Sequence, residues 1–131
     1  DQGWQTIETL TNPETQLAWN PRDTLKVQAG KLINLGMQLG SQTVVLLMII
    51  QPEAEKKVRI LVDLQPTNPE KYLPPNLKLT LLSKTGEILQ ETQSRSLDNL
   101  IGLKSFKGKP GTRFSIQVSL NDISFREDFE I

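Results

Sequence analysis

Four cations crowd one stretch of this 131-residue sequence: Lys104, Lys107, Lys109 and Arg113 surround the Gly-Lys-Pro-Gly run at 108–111. Lysines beside glycine amides suit a phosphate or an acidic peptide. The spacing is not that of a phosphate-binding loop, however, and only Phe106 interleaves, which offers nucleic acid too little stacking. Against that chemistry stands the plainer one, lysines that keep a turn soluble and a strand edge unpaired. A second constellation is aromatic. Trp4, Trp19 and Tyr72 have the flat, half-polar surfaces of a sugar or peptide platform. The competing reading has the two tryptophans anchor a loosely structured leader to the body.

The acids sit where turns want them. Asp98-Asn99 and Asn121-Asp122, with Asp128 close in sequence, invite comparison with calcium loops, which need six to eight oxygen ligands. No loop offers that density, and Asn and Asp favour these turns for backbone reasons. Glu53 with Glu55, and Glu127 with Asp128 and Glu130, are the carboxylate groups from which a glycosidase pair would be drawn. They fall in a turn or on alternating strand positions, where acids are usually solvated. Serines, threonines and lysines are plentiful, but no GxSxG or SxxK arrangement occurs. There is no histidine, which removes the commonest general base and metal ligand. There is no cysteine either, so disulfides and thiolate metal sites are excluded. The expectation is a non-enzyme with no cofactor and no metal.

Charge narrows the partners. Lys+Arg and Asp+Glu both total 15, so nothing global favours nucleic acid or an anionic membrane. The most apolar run, TVVLLMII at 43–50, is far short of the roughly 20 residues of a membrane-spanning helix, so no membrane insertion is expected. The absence of disulfide staples favours a reducing, cytoplasmic compartment.

Strands must position these groups. In 113–131, Phe114, Ile116, Val118 and Leu120 alternate with polar residues, and beyond Asn121-Asp122 the alternation resumes with Ile123, Phe125, Phe129 and Ile131. This spacing predicts a hairpin with one apolar face and a two-residue type I′ turn. Its register sets Leu120 opposite Ile123, Val118 opposite Phe125 and Phe114 opposite Phe129. Glu127 is out of pattern, because it falls on the apolar side. A lone hairpin is marginal in water, so the rest of the chain must supply a second layer.

Upstream, 26–35 alternates weakly and reads as an edge strand, and 36–40 as a turn with two glycines. The run 43–50 reads as a central strand covered on both faces, and 52–57 as a charged turn. In 58–64, Val58, Ile60, Val62 and Leu64 point inward while Arg59 and Asp63 point outward. The proline-rich passage 66–76 crosses from one sheet to the other, pinned by Tyr72 and Leu73. Strands at 77–82 and 88–93 flank a bulged turn with Gly86 in the left-handed position. Asp98-Asn99 is another turn, followed by Ile101, Leu103 and Phe106. Before all of this, Asn12-Pro13-Glu14 carries a helix-start signature within 3–19. The organisation is therefore a short helical leader at 1–22 and a single domain at 23–131. About seven or eight short strands with frequent turn signals predict an all-β antiparallel sandwich, immunoglobulin-like in architecture.

Several phrases are also familiar. GKLINLGMQLG (30–40), YLPPNLKLTLLSKTGEILQE (72–91), QSRSLDN (93–99) and the ending KGKPGTRFSIQVSLNDISFREDFEI (107–131) resemble the C-terminal region of the cyanobacterial DUF1822 family. The W-x-x-I-E leader at Trp4 to Glu8 matches more weakly. The resemblance implies a cyanobacterial source and a further N-terminal region before Asp1. It carries over no catalytic residue, because the family has no assigned activity. By association alone it implies a signalling or regulatory setting.

The expected function is a non-enzymatic protein-interaction module, the C-terminal domain of a larger protein, monomeric or weakly homodimeric. Its contact residues would come from Trp4, Trp19, Tyr72, Lys104, Lys107, Lys109 and Arg113. Such a module requires an exposed apolar patch of a few hundred Å². The alternative is a small-ligand or carbohydrate-binding sandwich, which requires at least two of Trp4, Trp19 and Tyr72 in one cleft.

Overall fold

The computed structural model describes residues 24–39, 42–68 and 71–131. These form β1 (Thr24–Lys26), β2 (Leu32–Leu39), β3 (Gln42–Pro52), β4 (Val58–Pro66), β5 (Lys78–Ser83), β6 (Ile88–Gln93), β7 (Ile101–Gly102), β8 (Phe106–Gly108), β9 (Arg113–Leu120) and β10 (Ile123–Glu130), with a single 3-10 turn at Ala54–Lys56. Sheet A has the order β1-β10-β9-β5-β6, and sheet B the order β2-β3-β4-β7 with β8 also on β4. The fold is all-β, two five-stranded sheets around one aliphatic core. The extra strands beyond the seven or eight expected are the short pieces β1, β7 and β8, too brief to show any periodicity.

Alternation puts the core between the sheets. Leu46, Met48, Ile60, Val62 and Leu64 of sheet B meet Leu79, Ile116, Val118 and Phe129 of sheet A, all buried in one cluster. The closing hairpin has the expected register, with Leu120 opposite Ile123, Val118 opposite Phe125 and Phe114 opposite Phe129. Of its two turn residues, only Asn121 takes a positive φ, at 55°. A type I′ turn needs both, so the turn is not of that type. Phe114 and Phe129 stack with ring centroids 5.2 Å apart at 19°, and Phe106 meets Phe114 edge-on at 5.2 Å and 80°. Ile60 and Val62 point inward and Arg59 and Asp63 outward, as the alternation of β4 requires.

Five further expectations need correction. The weakly alternating stretch 26–35 is not one edge strand. Gly30, at φ 82°, turns the chain so that β1 joins sheet A and β2 begins sheet B. β1 moreover pairs parallel to β10, Leu25 beside Phe129, so sheet A is not wholly antiparallel. Gly36 lies inside β2 opposite Val45 rather than in a turn, and Gly40 lies outside the described residues. β3 is central in sheet B, but only one of its faces is fully covered: Ile49 is 39% exposed and Val45 and Leu47 are half-buried. Finally, Leu73 is buried as expected of a pin, whereas Tyr72 is 55% exposed. The leader at 1–22, with its helix-start signature, lies outside the described residues.

Candidate functional site

Half of the basic cluster, Lys107 and Arg113, is neutralised by its neighbours. β8 pairs with β4 in a register that sets Lys107 opposite Arg59. Both cations converge on Glu53, which receives Arg59 Nε at 3.1 Å on one oxygen and Lys107 Nζ at 3.4 Å on the other. Arg59 Nη1 also donates to Ser105 Oγ at 3.1 Å. The hydrogen bond from Arg59, with the charge of Lys107 behind it, holds the Glu53 carboxyl below its usual range. Arg113 likewise meets Glu130 at 3.1 Å, whose other oxygen takes Lys26 at 2.7 Å. The Lys26 hydrogen bond, reinforced by Arg113, lowers the Glu130 carboxyl too. Lys104 and Lys109 are exposed. Lys104 is tied down through its backbone: its N–H donates to Gln90 Oε1 at 2.9 Å and its carbonyl accepts from Gln90 Nε2 at 3.0 Å. The side-chain amide of β6 thereby clasps the β7–β8 connection. With Lys107 and Arg113 committed to carboxylates, the four cations do not form an open anion site.

The aromatic platform is not assembled among the described residues. Tyr72 lines a shallow cleft of about 190 Å³ with Gln42, Thr43, Pro66, Asn68 and Lys71. Ligand pockets usually run to about 300–1,000 Å³ and are largely apolar. Trp4 and Trp19 lie outside the described residues. Glu127 faces Ile116 on the inner side of β10 and is 2% exposed, a buried acid where alternation calls for an apolar residue. Asp128 accepts from Ser115 Oγ and from Arg126 Nε, the latter at 3.2 Å. Among the described residues, no group of three or more Asp or Glu side chains is placed to hold a metal. None of the helices there is long and apolar enough to cross a membrane.

The surface that composition does not disclose lies along β6 and its exit. Ile88 and Leu89 on β6, and Leu97 and Leu100 on the connection to β7, are each at least half exposed. Leu97 is 71% exposed and has a φ of 71°. The left-handed region costs a non-glycine residue about 1–2 kcal/mol, so something must hold Leu97 there. Asp98 does so from the next position: Arg95 N–H donates to its Oδ2 at 2.8 Å, Asp98 N–H returns a bond to Arg95 carbonyl at 3.2 Å, and Leu73 N–H donates to the Asp98 carbonyl at 2.7 Å. The Arg95 amide, with the Arg95 charge behind it, keeps the Asp98 carboxyl below its usual range. Ser94, buried, extends the lattice by accepting from Leu77 N–H at 2.9 Å and donating to the Pro74 carbonyl at 2.6 Å. The Leu-Pro-Pro passage and the Ser-Leu-Asp-Asn turn thus interlock, and their product is a leucine presented to water.

A family model described as a protein of unknown function, DUF1822, matches residues 1–130. The chain belongs to this family. No curated protein and no solved structure matches it. For a DUF1822 chain, the interlock gives the segments by which the resemblance is recognised a physical role, since they build one rigid corner. The signal in sequence was small. A leucine stands at Leu97, in a turn position where glycine or asparagine would relieve the backbone.

Proposed function

We propose that this chain is a non-enzymatic protein-interaction module whose contact surface is the β6–β7 side, centred on Leu97 and Leu100 with Tyr72 at the same corner, while Ile88 and Leu89 stand exposed at the opposite end of β6. The observation that carries this reading is the strained, exposed Leu97. Backbone strain and an apolar side chain in water both cost free energy, and both are retained where a partner recovers them. The partner is a protein with an apolar surface, because the side chains on offer carry no charge and enclose no pocket. The immunoglobulin-like architecture, the cytoplasmic setting, and a place as the C-terminal domain of a larger cyanobacterial signalling or regulatory protein belong to the same proposal. The small-ligand alternative is the weaker reading, since of the three platform rings only Tyr72 falls among the described residues, and the cleft it borders is open and lined mainly by polar groups.

The test is comparative capture from the native host with the full chain. Wild type, a Leu97→Asn/Leu100→Asn variant and a Lys104→Gln/Lys109→Gln variant are cross-linked under identical conditions. One protein retained by wild type and the lysine variant, and lost with the leucine variant, is the expected result. Equal retention by all three, or by none, removes the proposal.

A further inference from the structure

Strand β6 ends sheet A, and its free side is open. Ser94 N–H donates to the Leu77 carbonyl at 2.8 Å, which fixes the parity of the β5–β6 ladder. Gln90 and Thr92 bond toward β5, while the N–H and C=O of Glu91 and Gln93 point away from it. No strand lies against them among the described residues. The usual guards of an edge are thin here, since Ile88–Gln93 contains neither lysine nor proline. A bulge is present, but it adds apolar surface. Leu81 faces Gln90 and Leu82 faces Ile88, so Leu89 is the extra residue, and Ile88 and Leu89 are both turned to water. The edge thus has an aliphatic pair at one end, Leu97 and Leu100 beyond the other, and unpaired main-chain groups between. Glu91 is the sole charge on β6. It lies on the outer face, where one oxygen accepts from Thr80 Oγ1 at 3.1 Å, and the rest of its side chain is exposed. Lys104 is held on the inner side, where Gln90 clasps its main chain.

We propose that the partner docks here as an added strand: an extended segment of a separate protein that hydrogen-bonds the main chain of Glu91 and Gln93, sets an apolar residue at each end, and places a lysine or arginine opposite Glu91. The inference rests on the interaction module proposed above and deepens it by naming the form of the partner. Ile88 to Gln93 spans about 17 Å, so the aliphatics at the two ends are out of reach of one side chain, and about eight extended residues cover them. A helix of the same span uses its amides internally and would leave the open groups of β6 unpaired. An added strand satisfies them by the same bonds that join β6 to β5. The cation follows from charge complementarity, since opposite charges facing across two strands attract and like charges repel. A second copy fits less well for that reason: two β6 strands centred on this edge set their Glu91 carboxylates opposite or diagonal to each other.

The probe is a library of random peptides of about ten residues, displayed on phage and selected against the full chain. Enriched sequences should carry apolar residues near both ends and lysine or arginine between. One enriched peptide is then synthesised with single N-methyl groups along its backbone. Methylation at every second position should weaken binding at least about tenfold, and at the positions between should leave it unchanged, because only alternate amides of an added strand face its neighbour. Glu91→Gln should weaken the same peptide about threefold and Glu91→Lys about tenfold, with circular dichroism as in wild type. No enrichment, methylation effects without alternation, or indifference to both Glu91 variants overturns strand addition. If such a peptide still requires Leu97 and Leu100, the interaction surface proposed above stands without the strand. Alternation that survives Leu97→Asn/Leu100→Asn removes that surface and keeps the strand. A dimer seen by light scattering that the peptide dissolves gives the edge to a second copy and also overturns the proposal.

Discussion

Replacing Phe129 by alanine tests the core where its phenylalanine rings meet. The ring is fully buried, stacks on Phe114 and stands beside Leu25 in the parallel pair that closes sheet A. Truncating a buried phenylalanine costs about 3–5 kcal/mol, of which the ring pair accounts for roughly 0.5–1.5. A domain of this size holds only about 5–15 kcal/mol in total. With a urea slope of about 1.5–2 kcal/mol/M, the midpoint should fall by about 2 M. Unfolding is followed by circular dichroism, because the tryptophans sit far from this site in sequence. Phe129→Leu, which refills most of the space, should cost about 1–1.5 kcal/mol. Ile123→Ala, at the exposed tip of the same hairpin, should cost about 1 kcal/mol. A Phe129→Ala loss no larger than that of Ile123→Ala would refute the placement of this ring between the sheets.

Other expectations follow from single contacts. Leu97→Asn should hold or raise stability by about 0.5–1 kcal/mol, since asparagine tolerates the left-handed region; a loss above about 1 kcal/mol in urea would mean the leucine supports the fold. Gln90→Ala, which opens the clasp on Lys104, should cost about 1 kcal/mol by the same measurement. Glu53, Asp98 and Glu130 all have lowered carboxyls. Their contribution is therefore fully present above their ordinary values of 4.5, 3.8 and 4.5 and is lost as pH falls through the lower folded values. Urea midpoints should be level from about pH 7 to about pH 5 and decline below about pH 4. Asp63 has the opposite sign: its raised carboxyl weakens the fold once ionised. Asp63→Asn should stabilise by less than ~1 kcal/mol at neutral pH, with no gain in acid where both side chains are uncharged, as thermal melts at the two pH values would show.

Much of the fold was legible because alternation and turn chemistry act locally. The closing hairpin, the β3–β4 hairpin and the bulged turn at Gly86 each lie within one contiguous stretch, so pattern and partner are read together. β1 was hidden for the opposite reason. Its partner is the last strand, and three residues carry too little periodicity to be seen without it. Gly36 was misread because a glycine inside a strand and a glycine in a turn look alike in sequence. The basic cluster was plain as composition. Its counter-charges were not all so, since Glu53 reaches Lys107 only through the pairing of β8 with β4. Leu97 escaped notice because nothing in a residue's identity records that its backbone is held at a positive φ.

The order of sheet A also governs how the chain matures. β9 and β10 are its middle strands, flanked by β1 on one side and β5 on the other, and they are the last two strands described to leave the ribosome. The β2–β3–β4 meander and the β5–β6 hairpin can each pair as they emerge, whereas β1 waits for a partner, and sheet A for a centre, that has not yet been translated. A nascent chain therefore carries one sheet with its inner aliphatic face bare, the kind of surface on which partly folded chains aggregate.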